Sequence, residues 1–440
     1  MARRTPPPHE PTKHAPTRHS SAKKTPAKKT HPPRSSSKST PNPSPAAADS
    51  PIFAQPTPSP DPTSFKDPVT DQSDVELKTV GVVPEPVGNA VEPVLTLEQV
   101  YGPQGATVTQ TITAAGQIVF HCVGDTGSVT GPTTQNLVAD KMVSDFTEAN
   151  PADVPSFFFH LGDVVYYFGE SAYYYDQFYE PYRDYPAPII AIPGNHDGVV
   201  WQSDPETTLE AFLANFCTAA PAQSPDSGGL LRTTMTQPGV YFTFDSPFVR
   251  ILGVYSNVLE DPGVISDQNG TYPTLDQRQV EFLTAALQRI KSESYAGAVI
   301  IAVHHPPYTG GTTHGGSPDM LADIDSACTA AGVWPHAVLS GHSHNYQRYT
   351  RTVNGLTIPF VVAGNGGHSP LETMRGTLRT PYPIDSTLTL ESYDDTHYGY
   401  LRIVVNATTM TIEFHPQSDG GTTKTPDDVV TVTLATHAVS

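Results

Sequence analysis

Phe157-Phe158-Phe159-His160-Leu161-Gly162-Asp163-Val164-Val165-Tyr166 is the stretch on which the fold turns. A short aromatic and apolar run ends in glycine. A carboxylate follows, then a phenol three residues further on. Such a run, closed by a turn residue, reads as a buried strand entering a loop. Taken alone, an Asp after a strand is a turn residue or a helix cap. The rest of the chain changes that reading.

Working outward, apolar runs recur at 118–123, 157–161, 189–192, 249–254, 299–303, 337–339 and 360–363. Helix-like segments at 137–146, 209–216, 275–291 and 319–331 separate several of them. In the third, Thr274 and Gln277 have capping-box spacing, and Val280, Leu283, Leu287 and Ile290 share one helical face. Gly332 stops the fourth. Strands alternating with helices give an α/β layered fold. Runs 400–405, 410–414 and 429–434 follow without helices and read as antiparallel strands. At the entrance, 80–83 and the Thr-rich stretch 106–113 read as strands or a hairpin.

Composition narrows the chemistry. The 440-residue chain holds three cysteines, Cys122, Cys217 and Cys328, too far apart for a disulfide framework or a thiolate metal site. Any metal must be held by His, Asp, Asn and Tyr. No apolar run reaches the ~18 residues of a membrane span. The net charge of −19 combines +8 in residues 1–50 with −27 in the remainder. An acidic body that handles an anion needs local positive charge, which bound cations supply.

Residues 1–75 are rich in Pro, Ser, Thr and Lys, with no aromatic residue before Phe53. Such a segment buries too little apolar surface to offset its ordering entropy, so a disordered tail is expected, followed by one catalytic domain over 76–440. The run Lys23-Lys24-Thr25-Pro26-Ala27-Lys28-Lys29-Thr30 resembles linker-histone tails and suits weak contact with nucleic acid or an anionic surface. A solvated tail is the plainer reading. The basic start lacks a following apolar segment, so no secretory signal is expected. That points to the cytoplasm, or to export by an unrecognised route.

Five motifs sit directly after apolar strands: Gly124-Asp125-Thr126-Gly127, Gly162-Asp163-Val164-Val165-Tyr166, Gly194-Asn195-His196-Asp197, His304-His305-Pro306-Pro307-Tyr308 and Gly341-His342-Ser343-His344. In α/β sheets, loops beyond the strand carboxyl ends form the binding crevice. Five loops spread along the chain therefore converge. Their oxygen and nitrogen donors suit iron, zinc or manganese. One carboxylate bridging two cations is the arrangement for displacement at phosphorus: the pair supplies hydroxide near neutral pH and clamps the attacking and leaving groups.

Together these motifs resemble the calcineurin-like metallophosphoesterases and, within them, the purple acid phosphatases, over roughly residues 115–415. That resemblance implies a four-layer α/β/β/α sandwich of mixed sheets. Many relatives carry Asp-x-His in the first motif, but here the third residue is Gly127. Tyr166 stands where purple acid phosphatases supply a phenolate instead, so the two departures compensate. The resemblance implies a first metal, Fe(III), on Asp125, Tyr166 and His344. A second, Fe(II), Zn or Mn, falls on Asn195, His304 and His342, with Asp163 bridging.

The family pattern His-x-Pro-x-Tyr selects His304 over His305, which then orients its neighbours by hydrogen bonds. His196 would donate to phosphate and protonate the leaving alkoxide. Asp197 either holds that imidazole or serves the turn. His314 matches a substrate-contacting histidine of the plant enzymes, or is an exposed loop residue. His121 and His160 read as packed, and His397 as within reach of the crevice without being required there. Loops 217–239 and 365–396, with Arg232, Arg375 and Arg379, are expected to cover the site. The implied reaction is phosphate monoester hydrolysis by in-line attack of hydroxide held by the two metals. Alternatives are phosphodiester or nucleotide hydrolysis on the same site, or a tethering protein with an inactive site.

Overall fold

The computed structural model describes residues 82–199, 207–376, 378–417 and 424–440. The expected tail and the start of the catalytic domain, through residue 81, lie outside the described residues. Two mixed sheets form the centre. One runs β1 (Val94–Thr96), β5 (Phe242–Ser246), β6 (Val249–Val254), β7 (Ala298–Val303), β8 (Ala337–Ser340), β10 (Leu356–Ala363), β9 (Tyr346–Val353), β12 (Leu388–Asp394), β11 (Tyr382–Pro383). The other runs β16 (Ala438–Val439), β15 (Asp428–Thr433), β14 (Thr409–Pro416), β13 (Gly399–Asn406), β2 (Gln117–Val123), β3 (Phe158–His160), β4 (Ile189–Ala191). β6, β7, β8 and β10 are parallel neighbours, as are β2, β3 and β4. Their carboxyl ends carry the five motifs.

Alternation along the strands explains the layers. Phe157, Phe159, Phe120 and Cys122 from one sheet meet Phe242, Phe244, Ile300, Ala302 and Val361 from the other in a buried inner core. Phe157 stacks on Phe120 at 4.6 Å and meets Phe244 edge-on at 4.9 Å, so it links the two sheets. Truncating such a ring to alanine costs ~3–5 kcal/mol. Val299, Ile301 and Val303 point the other way. They share a second core with Phe282, Leu283 and Leu287 of the helix Arg278–Ser292 and Ile324 of the helix Pro318–Ala331. On the far sheet, Val138, Ala139 and Met142 of the helix Thr133–Ser144 are buried in the same way. The result is the four-layer helix–sheet–sheet–helix sandwich.

Strand β4 ends its sheet, and its edge is closed by a side chain rather than another strand. Gln237 accepts from Ala191 N and donates to Ala191 O, both at 2.8 Å. A bare edge invites pairing with another chain, and this amide blocks it.

Three sequence expectations change. Residues 106–113 are not strand; they lie in the helix Gly105–Ala115. Thr111 and Thr113 turn their hydroxyls onto the carbonyls of Thr107 and Thr109, at 2.9 and 2.8 Å, which satisfies these β-branched residues within a helix. Of 80–83, the described Val82 and Val83 form no strand. No capping box forms at Thr274 and Gln277, because Gln277 donates instead to Asp267 Oδ1 at 2.6 Å. Among the described residues no helix is long and apolar enough to cross a membrane.

Candidate dimetal centre

Backbone bonds between loops set the geometry before any side chain is placed. Asp125 N donates to Gly162 O at 2.9 Å, and Gly341 N donates to His304 O at 2.9 Å. His342 N crosses between the sheets to Asp125 Oδ2 at 2.8 Å. The Asp197 carboxylate accepts from Gly194 N at 2.9 Å and from Val164 N at 3.0 Å, tying the third motif to the second. Asp125, Asp163 and His342 adopt left-handed backbone, with φ of 56°, 55° and 68°. Non-glycine residues in that region cost ~1–3 kcal/mol each and persist where the surroundings over-determine them.

All seven expected ligands come together in two groups. In the first, the Tyr166 hydroxyl lies 3.1 Å from Asp125 Oδ1 and 3.2 Å from His344 Nε2. In the second, Asn195 Oδ1 lies 3.0 Å from His304 Nε2 and 3.1 Å from His342 Nδ1. Asp163 stands beside both, its Oδ2 3.3 Å from His304 Nε2. Donor atoms of Asp163, His304 and His342 all fall within 4.8 Å of one another. Asp163 Oδ2 and His342 Nε2 are buried with no hydrogen-bond partner. A buried carboxylate oxygen left open among imidazole nitrogens is costly unless a cation completes it, so the donor set fits metal ions.

Two adjacent histidines are sorted by their partners. His304 Nδ1–H donates to Leu161 O at 2.8 Å, which aims its Nε2 at Asn195 and Asp163. His305 donates from Nε2 to Leu259 O at 2.6 Å and meets Ser256 Oγ through Nδ1 at 2.7 Å, leaving no nitrogen for a cation.

The sequence matches the calcineurin-like phosphoesterase family over residues 118–346, more than half the chain. The chain belongs to the calcineurin-like phosphoesterase family. Residues 359–424 also match the iron/zinc purple acid phosphatase-like protein C family. Among solved structures, a purple acid phosphatase from yellow lupin (Lupinus luteus) seeds is similar at a TM-score of 0.50 and 17% identity. The match covers 72% of this chain and 54% of the lupin chain, so this chain spans about half the lupin enzyme's length. GAP50, the anchor in the inner membrane complex of Plasmodium, gives 0.46 and 14%, covering 69% and 86%. A dimetal phosphatase from Danio rerio gives 0.40 and 10%, covering 72% and 99%. A search of curated proteins finds no match. The family implies a dimetal centre, and the donors described above suit one.

In this chain the first group carries its own explanation for Gly127. A Cβ on that glycine would run into Gln177 Oε1, stand 2.6 Å from Val164 O and press on the Tyr166 ring at 3.2 Å. Gln177 in turn accepts from Tyr166 N at 3.0 Å and donates to Tyr166 O at 2.9 Å. Gln177 and the Val164 carbonyl, with the Tyr166 ring beside them, thus fill the space that a side chain at 127 would need.

Electrostatics separate the histidines. Burial opposes the charge on His304, but Asp163 and Asp125 outweigh it and raise the imidazole to about 9. His314 is raised to about 10: burial again opposes, and Glu260 and Glu372 hold the imidazolium. Burial lowers His344 to about 3, with help from the positive charge of His314.

The remaining expected residues are placed as follows. His196 N donates to Asp163 Oδ1 at 3.0 Å, and its Nδ1–H donates to Tyr167 O at 2.8 Å. Asp197 bonds backbone groups, so it serves the turn. His314 is not exposed. It sits 4.4 Å from the His342 ring and 4.9 Å from His344, clamped by Glu372 at 2.9 Å and Glu260 at 3.4 Å. His121 and His160 are buried and hydrogen-bonded. His397 bonds Asp394 at 2.7 Å. Arg232 is spent on Tyr182 O, Tyr185 O and Ala187 O, holding a turn, and Arg375 Nε donates to Gly311 O.

Sequence reasoning missed four residues at the site. Glu260, Asp261, Glu372 and His368 all reach it. Asn195 Nδ2 lies 3.4 Å from Glu260 Oε2, and Asp261 Oδ1 is 3.9 Å from His342 Nε2. Glu372 holds Ser343, between two expected ligands, at 2.6 Å. A signal existed for two of the loops: β6 and β10 end as the other five strands do, and Gly364-Asn365 repeats the Gly194-Asn195 pair.

Proposed function

We propose that this phosphoesterase is a binuclear-metal phosphohydrolase of the purple acid type, acting on phosphate monoesters. One observation carries the reading. Tyr166 turns its hydroxyl between Asp125 and His344, in a site where Gly127 has no room to supply a ligand. Asp125, Tyr166 and His344 would hold Fe(III). Asn195, His304 and His342 would hold Fe(II), Zn or Mn, with Asp163 between them. A hard phenolate favours the trivalent ion. Bound there, the two cations would supply hydroxide near neutral pH and neutralise the phosphate oxygens.

The chain's own groups do the rest. His196 is fixed through Nδ1, so in its imidazolium form it can pass the Nε2 proton to the leaving alkoxide and be left as the neutral Nδ1–H imidazole. His314, held by Glu260 and Glu372 against the His342 and His344 rings, would border the bound substrate. Rigid pinning of the loops keeps these groups in place without further ordering.

The test is metal analysis and a visible spectrum of the purified protein, with hydrolysis of a panel of monoesters and diesters. Two cations per chain, a tyrosinate–iron band lost in Tyr166→Phe, and a monoester preference are expected. A colourless two-metal enzyme overturns the purple assignment. Preference for diesters by orders of magnitude overturns the monoester reading. Fewer than two metals, with no hydrolysis of an activated aryl phosphate, overturns the catalytic reading and favours a tethering role.

A further inference from the structure

One buried histidine at the site has no part in the reaction so far. His368 follows β10 in the stretch Gly364-Asn365-Gly366-Gly367-His368. Its ring lies 3.9 Å from the Tyr166 ring at an interplanar angle of 32°, and 4.4 Å from the His344 ring. Its backbone N–H donates to Asp125 O at 2.9 Å. Its Nδ1 meets Gly127 O at 3.1 Å, and a carbonyl oxygen only accepts, so Nδ1 carries the proton. A single residue therefore touches the Asp125 loop, Tyr166 and His344, the three stretches that converge on the first group of donors. In the second group, His304 is steered by Leu161 O, and His305 lies against the rings of both His304 and His342.

The tie is specific in direction. Gln177 fixes the Tyr166 backbone, while the ring meets the imidazoles of His368 at 3.9 Å and His196 at 4.5 Å. The imidazole of His368 lies against the ring and is itself held by the residue whose missing side chain makes room for that phenol. We propose that His368 is a positioning residue for the Tyr166 phenol: it sets the ring orientation, and so the geometry at the first metal, without touching substrate. The inference rests on the reading of Tyr166 as a ligand.

The experiment loads the full-length protein with iron and zinc. It compares wild type, His368→Ala and His368→Phe by visible absorption and by the rate at which a chelator removes each metal. Loss of a partner that orients a ligand typically weakens the metal by about 10–100-fold. His368→Ala should displace the tyrosinate band and release iron at least ~10-fold faster, with zinc release near wild type. His368→Phe keeps a ring against Tyr166 and should return the band towards its wild-type position. Thermal midpoints confirm that both variants fold. An unmoved band with an unchanged iron release rate in His368→Ala overturns the inference alone. Equal acceleration of both metals also overturns it, because a general loosening would do that. A wild-type protein that binds iron without any tyrosinate band removes the ligand reading, and the inference with it.

Discussion

Two buried clusters of histidine and carboxylate are built differently: one joins loops from both sheets, the other sits on the sheet of β2. At the loop end stand Asp125, Asp163, His304 and His342, with Asp163 Oδ2 and His342 Nε2 left without partners. On the outer face, His121 bonds Tyr185 through Nδ1 and Asp145 through Nε2, both at 3.0 Å. Asp145 also receives the Tyr400 hydroxyl at 2.7 Å and Lys424 Nζ at 3.1 Å. The second cluster is closed on itself; the first needs something added. Residue types are nearly the same in both, so composition does not tell a metal site from a structural network. Unpaired buried atoms do.

This contrast is open to direct attack. The largest effect is expected at Asp163. Asp163→Asn should reduce hydrolysis to background and lower the metal content, since it faces both groups of donors. If activity survives, the bridging role is wrong and the clusters differ less than the geometry implies. His196→Ala should lower kcat by ~10²–10⁴ while both metals stay bound, as expected for a lost general acid. Metal content that falls together with rate would move His196 into the ligand set.

The closed cluster should respond in stability instead. Asp145→Ala strands His121 Nε2 and the Tyr400 hydroxyl, and should cost ~2–5 kcal/mol by denaturant unfolding with metal content unchanged. A loss of metal without a loss of stability would reverse the assignment of the two clusters. The smallest effect is in pH. Burial, offset only in part by Asp145, lowers the His121 imidazole below its ordinary value. The unfolded chain therefore binds a proton that the folded chain does not. Stability should fall as pH drops below ~6.5, by up to ~1.4 kcal/mol per pH unit from this group. In His121→Gln the slope of unfolding free energy against pH should be shallower below pH ~6.5. An identical slope would show that His121 is not the group responsible.

Much of this was legible in the sequence, for a physical reason. Parallel strands buried on both faces are continuous apolar runs, so 118–123, 249–254 and 299–303 stand out, and the ligand-bearing loops are whatever follows them. The strands Tyr346–Val353 and Leu388–Asp394 escaped because they are half-exposed and alternate with polar residues. The helix Gly105–Ala115 was misread because Thr carries a strand bias that local hydroxyl–carbonyl bonds override. His368 and Glu372 were hidden inside a loop read only as a cover. Their importance comes from contacts with residues far away in sequence: Gly127 is 241 positions from His368. The choice of His304 over His305 followed from the motif, but the reason appears only in three dimensions, where His305 has spent both nitrogens.

The crowding around Gly127 bears on how such sites change over time. Restoring a histidine there while Tyr166 remains drives a side chain into a phenol ring and the Gln177 amide. Removing the phenol first leaves the first group one donor short. Each single step thus passes through a worse protein, and only a paired exchange keeps the donor count. Under the proposed reading of Tyr166 as a ligand, Gly127 and Tyr166 form an epistatic pair, and descendants of this chain are expected to keep both or to lose both.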